Sequence, residues 1–235
     1  MRLSVIMPVY NEIKTIKEII ARVCAVDIEK EMIIVDDFSS DGTREFLKTV
    51  DSGQWSVVSK PANHIKVIFH EKNQGKGAAV RTGLERVAGD VAVIQDADLE
   101  YDPSDYVKLM EPIISGKADV VYGSRFLSLR YIVLPWNYIA NKVLNLVTNV
   151  LFFSSLTDME TCYKMFRTEI MKGISLKSRG FELEPEITAK ILKKGIRITE
   201  VPVSYYSRKY SEGKKITWRD GFHALWSLIK YRITD

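Results

Sequence analysis

Short apolar runs alternate with amphipathic segments along the chain. Five runs rich in β-branched residues predict strands over residues 3–8, 32–35, 65–69, 91–94 and 120–122. Apolar positions spaced by three and four predict helices over residues 13–23, 78–87 and 106–114, the last with Pro103 in its first turn. Strands that alternate with helices in this way form a mostly parallel sheet with helices on both faces. The pattern therefore predicts the α/β class.

Acidic residues follow two of the predicted strands. Asp36 and Asp37 end the second strand, and the segment Gln95-Asp96-Ala97-Asp98-Leu99-Glu100 follows the fourth. Ligands of open α/β sheets bind beyond the carboxyl ends of the strands, so both acidic groups are expected to face one crevice. Mg²⁺ and Mn²⁺ take oxygen ligands, often one or two carboxylates and the phosphates of a substrate. On these residues alone, a metal-diphosphate site and an ordinary acidic turn before a helix that opens at Asp102-Pro103 are equal interpretations.

Two further helical segments have apolar faces. Residues 131–153 are strongly apolar but contain Pro135 and an asparagine at every fourth position from Asn137 to Asn149, so they do not form a convincing transmembrane span. Residues 218–231 place aromatic and aliphatic side chains on one face, with basic residues near the ends. Both segments suit helices that lie in a membrane interface. Packing against the sheet as ordinary core explains them equally well.

Composition narrows the class of protein. The 235 residues, 46% of them apolar, suffice for one large domain. Cys24 and Cys162 lie far apart, which argues against a disulfide framework or a zinc site and favours a cytoplasmic location. The first residues lack the features of a secretory signal. A net charge of +4 without a basic block predicts no nucleic-acid binding.

Two polar segments favour structural roles. The loop Asn73-Gln74-Gly75-Lys76-Gly77 matches neither the Walker spacing nor the dinucleotide fingerprint, so a helix-opening turn is the better interpretation. Three glutamates, Glu182, Glu184 and Glu186, surround Pro185 before a helical pattern. Acids at a helix start usually serve the helix dipole and the cap, so we favour that role over catalysis.

Eight short segments follow one another along the chain in an order typical of one family. They are Pro8-Val9-Tyr10-Asn11-Glu12, Ile34-Val35-Asp36-Asp37, Ser40-Asp41-Gly42-Thr43, Asp96-Ala97-Asp98, Gly123-Ser124-Arg125-Phe126, residues 158–167, Tyr205-Tyr206-Ser207-Arg208 and Glu212-Gly213-Lys214-Lys215-Ile216. The series resembles family 2 glycosyltransferases of the GT-A fold. Within that family it is most similar to polyprenyl-phosphate sugar synthases, such as the dolichyl-phosphate mannose and glucose synthases. The resemblance extends from Met1 to near the C-terminus and favours the metal-diphosphate interpretation.

The resemblance implies a domain organisation. It predicts a GT-A nucleotide-diphospho-sugar transferase fold with amphipathic interface helices, as a single domain over residues 1–235. Residues 1–125 would form the nucleotide-sugar-binding half, and residues 126–216 the acceptor-binding half. Residues 217–235 would form a C-terminal amphipathic helix.

The resemblance also implies roles for single residues. The nucleotide-sugar set is Pro8, Tyr10, Glu12, Val35, Asp37, Asp96, Ala97, Asp98, Arg125, Arg208 and Lys214. Metal positions match Asp98 and Glu100, for Mg²⁺ or Mn²⁺, although relatives often carry Gln at the second. The acceptor-phosphate set is Arg125, Arg208 and Lys215, and Lys214 could also hold that phosphate. The catalytic set is Asp98, Arg125, Asp158 and Arg208. Guanidinium groups grip phosphate in a fork and lysine adds a compact charge, which suits these assignments.

The implied activity is transfer of a hexose, with inversion, from a GDP-mannose or UDP-glucose type of donor to polyprenyl or dolichyl phosphate. The phosphate of such an acceptor has a second pKa of about 6 and is already nucleophilic at neutral pH. The enzyme would be peripheral on the inner, cytoplasmic face of the membrane, with a membrane partner subunit as a further candidate partner. A hydroxyl acceptor would instead need a general base, for which Asp158, Glu160 and Glu182 are candidates. A third interpretation is a catalytically silent nucleotide-sugar-binding scaffold.

Overall fold

The computed structural model describes residues 1–55, 64–128, 135–208 and 218–234. In these ranges seven strands form one sheet in the order β3-β2-β1-β4-β6-β5-β7. The strands are β1 (Leu3–Val9), β2 (Lys30–Asp36), β3 (His64–Phe69), β4 (Val91–Ile94), β5 (Val120–Ser124), β6 (Lys164–Arg167) and β7 (Ile198–Pro202). β6 runs antiparallel to β4 and β5, and the other neighbouring pairs are parallel. The predicted mostly parallel sheet is confirmed.

Five strands coincide with the predicted runs, whereas β6 and β7 lie outside them. β1 and β4 are central and fully buried, which explains why their sequences are continuously apolar. β6 has four residues, and both its ends, Lys164 and Arg167, are basic. β7 is an edge strand with mostly half-buried side chains that include Thr199 and Glu200. Short length and polar composition therefore conceal both strands from a periodicity argument.

Eight helices flank the sheet in the described ranges. They are α1 (Ile16–Ala25), α2 (Thr43–Asp51), α3 (Lys76–Leu84), α4 (Tyr106–Ile114), α5 (Pro135–Phe152), α6 (Thr168–Lys172), α7 (Leu183–Lys193) and α8 (Trp218–Ile233). α4 has the predicted bounds. Pro103 opens a separate 3-10 turn, Pro103–Asp105, so the proline precedes the helix rather than lying in its first turn. The Asp102 carboxylate caps that turn by accepting from Ser104 N at 2.9 Å.

α5 and α8 pack against each other and bury one face of each helix. Leu144 of α5 and Ala224 and Leu228 of α8 form a small core with Met159. The opposite faces carry exposed apolar side chains, which are Ile139, Val143, Leu146 and Val150 on α5, Phe153 directly after it, and Phe222, Trp226, Ile229 and Ile233 on α8. We call this set the apolar stripes. In the part of the chain that the structure describes, no helix is long and apolar enough to cross a bilayer.

Candidate active site

Left-handed turns follow three strands at the carboxyl edge of the sheet. Asn11 follows β1, Phe38 follows β2 and Leu99 lies beyond β4, with φ angles of 53°, 68° and 64°. Residues other than glycine are uncommon in this region, and such strained backbone concentrates at functional sites. Hydrogen bonds hold the first turn, because Asn11 N donates to Ser39 Oγ at 2.9 Å and Asn11 Oδ1 accepts from Ser40 N at 2.8 Å. These turns fix the direction of the acidic segments beyond the strands.

Arg208 lies at the centre of the acidic cluster. Its guanidinium contacts Glu12 Oε2 and Asp98 Oδ2, each at 3.0 Å. Its backbone N donates to Glu100 Oε1 at 2.8 Å, while Tyr205 Oη donates to Glu100 Oε2 at 2.7 Å. The structure thus brings together four residues from the sequence-predicted set that lie up to 196 positions apart.

The acidic cluster is electrostatically crowded. Burial raises the pKa of Asp98 to about 7, with further contributions from the charges of Asp96 and Glu100, while Arg208 acts in the opposite direction. Carboxylates that repel each other in this way attract a hard cation. The described residues contain no cluster of three His, Cys, Asp or Glu side chains arranged to hold a metal. Two carboxylates completed by substrate phosphates form a common magnesium arrangement, and the donor atoms of Asp98 and Glu100 fit it chemically.

Asp96 faces a different partner, in a buried chain of charges. Lys76 Nζ contacts Asp96 Oδ1 at 2.9 Å and Glu184 Oε1 at 3.2 Å. Glu184 Oε2 in turn contacts Lys164 Nζ at 2.6 Å. Burial opposes ionisation of Asp96, but Lys76, together with Cys162 and Arg208, lowers the Asp96 pKa below its ordinary value. Lys164 also donates to the carbonyls of Met159 and Thr161, so this buried ion chain reaches the turn that contains Asp158.

Asp158 and Arg125 form a buried bidentate ion pair. Arg125 Nε donates to Asp158 Oδ2 and Arg125 Nη2 donates to Oδ1, both at 2.7 Å, and the Arg125 backbone N adds a bond of 2.8 Å to Oδ2. Burial opposes the charged guanidinium, but Asp158, together with Tyr101 and Tyr205, keeps the Arg125 pKa above its ordinary value. The guanidinium also lies 5.1 Å from the ring centroid of Tyr205, which joins it to the Glu100 side of the cluster. Arg125 is therefore a charged group held in a fixed orientation.

The asparagine row of α5 supports the turn that carries Asp158. Asn145 donates to Thr157 O and accepts from Met159 N at 2.8 Å. Asn149 donates to Leu156 O at 2.9 Å and accepts from Leu156 N at 2.8 Å. These two asparagines are therefore structural, and their spacing of four follows from the need to face one loop.

Asp37 orders a loop through its side chain. Its Oδ1 lies 2.7 Å from His70 Nδ1 and accepts from Gln74 N at 2.8 Å, and its Oδ2 accepts from Gly75 N at 2.7 Å. The loop then opens α3 at Lys76, as the sequence predicts.

Other members of the predicted nucleotide set differ in accessibility. Pro8 and Val35 are buried and lie opposite each other in the β1–β2 ladder. Ala97 is also buried, whereas Tyr10 is 38% exposed at the end of β1. A ligand at this edge would meet the Tyr10 ring and the backbone of the two strands. Lys214 and Lys215 lie outside the described residues.

A comparison with protein families identifies the chain. Residues 4–174 match the profile described as Glycosyl transferase family 2. The chain belongs to this family. The fold agrees with that of a glucosyl-3-phosphoglycerate synthase from Mycobacterium tuberculosis solved with Mn²⁺, uridine diphosphate and phosphoglyceric acid. The TM-score is 0.74 at 18% identity, over 100% of this chain and 79% of that one. The GT-A type of α/β fold predicted from the sequence is confirmed.

Three curated glycosyltransferases are similar along most of the chain. Glycosyltransferase AglJ of Haloferax volcanii is 30% identical over 210 residues, which cover 87% of this chain and 63% of AglJ. Dolichol-phosphate mannosyltransferase of Pyrococcus furiosus is 30% identical over 221 residues, with coverages of 91% and 59%. UDP-N-acetylglucosamine-dolichyl-phosphate N-acetylglucosaminyltransferase of Methanococcus voltae is 30% identical over 239 aligned positions, with coverages of 97% and 95%. The chain spans about three fifths of the length of the first two.

Sequence reasoning missed the buried ion chain of this glycosyltransferase. Glu184 was expected to serve the start of α7, but its carboxylate contacts Lys76 and Lys164 instead. Glu182 precedes α7 as its N-cap residue, but its side chain makes no cap bond to the helix and instead accepts from the backbone N of Arg179 and of Gly180, both at 3.1 Å. The available signal was Lys76 between two glycines at a helix start, where its side chain is directed towards the strand ends. No local pattern indicates its acidic partners.

Replacing Glu184 tests the buried ion chain. Glu184→Gln is expected to lower the free energy of unfolding by about 1–3 kcal/mol, because the buried Lys164 and the partly buried Lys76 lose a charged partner but keep other bonds. Donor affinity is expected to fall as well, since Lys76 orients Asp96. Urea denaturation and isothermal titration with nucleotide sugars measure the two effects. Glu182→Gln at the surface turn is the matched control, and equal losses in both variants would contradict the argument.

Glu160 is the charged residue of the Asp158 turn that lacks a clear partner. Its Oε1 is buried and has no hydrogen-bond partner among the described residues. Burial raises the pKa of Glu160 to about 7, with Glu184 and Asp158 acting in the same direction and Lys164 against it. At neutral pH this carboxyl therefore divides between protonated and ionised forms.

The raised pKa predicts a pH-dependent stability. A carboxyl with a pKa of about 4.3 in the unfolded chain and a higher one in the folded protein binds a proton on folding, so stability falls as pH rises between the two values. Glu160→Gln removes this penalty and should stabilise the protein by about 1–3 kcal/mol near pH 8, with little difference near pH 4. Chemical denaturation at both pH values checks the result. Glu111→Gln on the exposed side of α4 should show no such dependence, and a pH-independent change in Glu160→Gln would contradict the assignment.

Proposed function

We propose that the protein transfers a hexose from a nucleoside-diphosphate sugar to polyprenyl or dolichyl phosphate, with inversion at the sugar carbon and with a divalent metal ion. The observation that carries the proposal is the junction of two charged sets through Tyr205. Arg208 joins Glu12 and Asp98 on one side, and Arg125, held by Asp158, lies over the Tyr205 ring on the other. An acidic donor side and a basic acceptor side therefore adjoin. The relatives of Pyrococcus furiosus and Methanococcus voltae, whose names specify dolichol phosphate and dolichyl phosphate, support the acceptor class.

On the donor side, the acids and Arg208 would receive the diphosphate. Mg²⁺ or Mn²⁺ held by Asp98 and Glu100 would neutralise the charge that develops on the departing nucleoside diphosphate. Arg208 is the residue of the cluster that can donate to phosphate oxygens, and a guanidinium does so in a fork. Tyr10 and the backbone at Val35 would contact the nucleotide. The paired arrangement with Glu12 and Asp98 keeps Arg208 charged and oriented before the donor binds.

On the acceptor side, Arg125 would orient a phosphate monoester. That nucleophile is already ionised near neutral pH and needs alignment rather than a base. Asp158 suits this chemistry because its two oxygens accept three hydrogen bonds from Arg125, which leaves it as a positioning residue. One in-line displacement by the phosphate oxygen breaks the bond between the sugar and the diphosphate and inverts the anomeric carbon. Lys214 and Lys215 remain predicted phosphate contacts.

A hydroxyl acceptor is the second candidate, and one observation favours it. Glu160 has a pKa near 7 and lies on the same turn as Asp158, and a general base works best near the working pH. Glu182 is a poorer base candidate because its carboxylate caps a surface turn. Under this alternative, a soluble glycan or protein would replace the lipid acceptor and Glu160 would take the proton.

The proposed location is the inner, cytoplasmic face of the membrane, where the enzyme would have access to a polyprenyl phosphate acceptor. The apolar stripes of α5 and α8 support it, since Trp226 is 65% and Phe153 90% exposed. Exposed Trp and Phe beside basic residues are typical of helices that lie in a membrane interface. A membrane partner subunit is an alternative occupant of the same surface. Nucleic acid is not a proposed partner, since the net charge is only +4.

A transfer assay tests the proposed function. GDP-mannose and UDP-glucose are each combined with a short-chain polyprenyl phosphate and Mg²⁺ or Mn²⁺, and the lipid product is detected by mass spectrometry. A sugar-phosphate-lipid is the expected product, and NMR of the purified product should show the anomeric configuration opposite to that of the donor. Donor hydrolysis without lipid product would contradict the acceptor and favour hydroxyl acceptors. Absence of both donor binding and turnover would favour the scaffold interpretation.

A further inference from the structure

We propose that a basic cavity between the turn before α7 and helix α8 binds the phosphate headgroup of an anionic phospholipid. The cavity has a volume of about 320 Å³ and is lined by Lys177, Arg179, His223, Trp226, Lys230 and Tyr231, among others. We call it the basic cavity. The proposal rests on the proposed membrane-surface location and adds a lipid class to it. The basic residues of the cavity are not among those proposed for sugar transfer.

The charge of the basic cavity favours an anion. Lys177, Arg179 and Lys230 contribute three positive charges, and the imidazole of His223 lies beside them. Glu182 is the acid in the lining, and it is partly compensated by two backbone N–H groups. Guanidinium and ammonium groups that surround one space are the usual means of binding phosphate oxygens.

The acid behind the cavity wall is also compensated. Glu186 contacts Lys190 Nζ at 2.7 Å and accepts from Ser178 N at 2.7 Å. Lys190 in turn lies 4.5 Å from the ring centroid of Tyr231. The acids packed near the cavity therefore leave a net positive space.

The surroundings of the basic cavity favour a lipid phosphate over a free one. Trp226 belongs both to the cavity lining and to the apolar stripe of α8, where Phe222 and Ile229 are its exposed neighbours. An indole between an apolar surface and a polar one is the usual arrangement at the headgroup level of a bilayer. A phospholipid can contact both surfaces, because its phosphate reaches the basic groups of the cavity while its acyl chains lie against the apolar stripe of α8. Inorganic phosphate can contact only the basic groups.

The wall of the basic cavity is anchored to the body of the protein. Arg179 O accepts from Gly77 N at 2.7 Å at the start of α3. A Cβ atom on Gly75 or Gly77 would collide with the carbonyl of Arg179 or of Ser178. The close approach of these two loops fixes the backbone that presents Lys177 and Arg179. This wall of the cavity is therefore formed before a ligand arrives.

Vesicle flotation tests the proposal with a charge-matched control. The pocket variant combines Lys177→Gln, Arg179→Gln and Lys230→Gln, and the control combines Lys14→Gln, Lys48→Gln and Lys117→Gln at exposed positions elsewhere. On vesicles of phosphatidylcholine mixed with phosphatidylglycerol, we expect the pocket variant to lose about 100-fold in affinity, since each basic residue near an anionic surface contributes roughly fivefold. The control should lose less than about fivefold. Equal losses in the two variants would overturn the proposal, because they would indicate diffuse attraction.

Further binding and activity measurements distinguish the proposed lipid site from the membrane location and from sugar transfer. Binding of the native protein to pure phosphatidylcholine vesicles reports the apolar stripes alone, and the pocket variant should retain it. If phosphatidylglycerol does not increase the affinity over that for pure phosphatidylcholine vesicles, the proposed lipid site is wrong but the membrane location stands. If the protein binds neither kind of vesicle, both proposals are wrong. Inorganic phosphate that displaces the protein from mixed vesicles at millimolar concentration would identify a free-phosphate site instead. Transfer to a water-soluble short polyprenyl phosphate should be unchanged in the pocket variant, so it reports the sugar-transfer activity separately.

Discussion

Asp98→Ala is expected to lower kcat/KM for hexose transfer by about 10³-fold, in the range seen when a group that stabilises developing charge is removed. Asp98 contacts the Arg208 guanidinium and is one of the two predicted metal positions, so its loss is expected to affect the cation and the guanidinium together. The protein should stay folded, because alanine removes a carboxyl whose pKa is raised by burial and by the charges of Asp96 and Glu100. Initial rates of sugar-phosphate-lipid formation, read by mass spectrometry, give the effect.

Asp102→Ala is the matched control for this experiment. Asp102 lies four residues further on, but its carboxylate only caps the 3-10 turn before α4. Loss of the cap is expected to cost about 1 kcal/mol of stability and to change turnover less than threefold. Turnover in Asp98→Ala close to that of the native protein would contradict the assigned donor side.

Asp158→Asn is expected to lower the free energy of unfolding by about 3–5 kcal/mol, because the buried Arg125 keeps its charge and loses the carboxylate that its side chain contacts. Turnover should fall through a higher KM for the acceptor, since Arg125 is no longer held in one orientation. Donor affinity should stay within about threefold of the native value, because residue 158 is not one of those proposed to bind the nucleotide sugar. Urea denaturation, titration with the nucleotide sugar and acceptor-dependent rates separate these effects.

Asp119→Asn provides the comparison for an ion pair at the surface. Asp119 contacts Arg167 Nε at 2.8 Å, but its side chain is 58% exposed. Exposed pairs of this kind contribute about 0–1 kcal/mol. If Asp158→Asn folded as stably as Asp119→Asn, bound donor normally and yet lost all turnover, Asp158 would be the base of a hydroxyl-acceptor enzyme.

Local patterns were sufficient to predict the first half of the sheet. β1, β2 and β4 are buried on both faces, so their apolar runs identified them, and the acids beyond β4 followed from strand-end geometry. The contacts of those acids were not predictable. Arg208 reaches Glu12 across 196 positions and Lys76 reaches Glu184 across 108, and no local spacing encodes such pairs. The motif resemblance placed Arg208 in the site without indicating its partners.

The helices α5 and α8 show why an apolar pattern alone left two interpretations open. Leu144 and Leu228 lie in the small core between the helices, whereas Leu146 and Ile229 are exposed. Hydrophobicity is the same on both faces, and only packing distinguishes them. The asparagine row, by contrast, has a use that no membrane argument supplies, because Asn145 and Asn149 hold the Asp158 turn.

The shared guanidinium of Arg208 also constrains how this sequence can change over evolutionary time. Replacing Arg208 alone would leave Glu12 and Asp98 repelling each other, and replacing either acid alone would leave a half-buried cation short of one partner. A single substitution at one of these positions is therefore expected to be destabilising, and a second substitution at a partner position is expected to restore stability. We expect position 208 to covary with positions 12 and 98 among descendants of this chain, so that a basic residue is lost together with an acid. Lineages that have lost all three are expected to lack the proposed donor side as well.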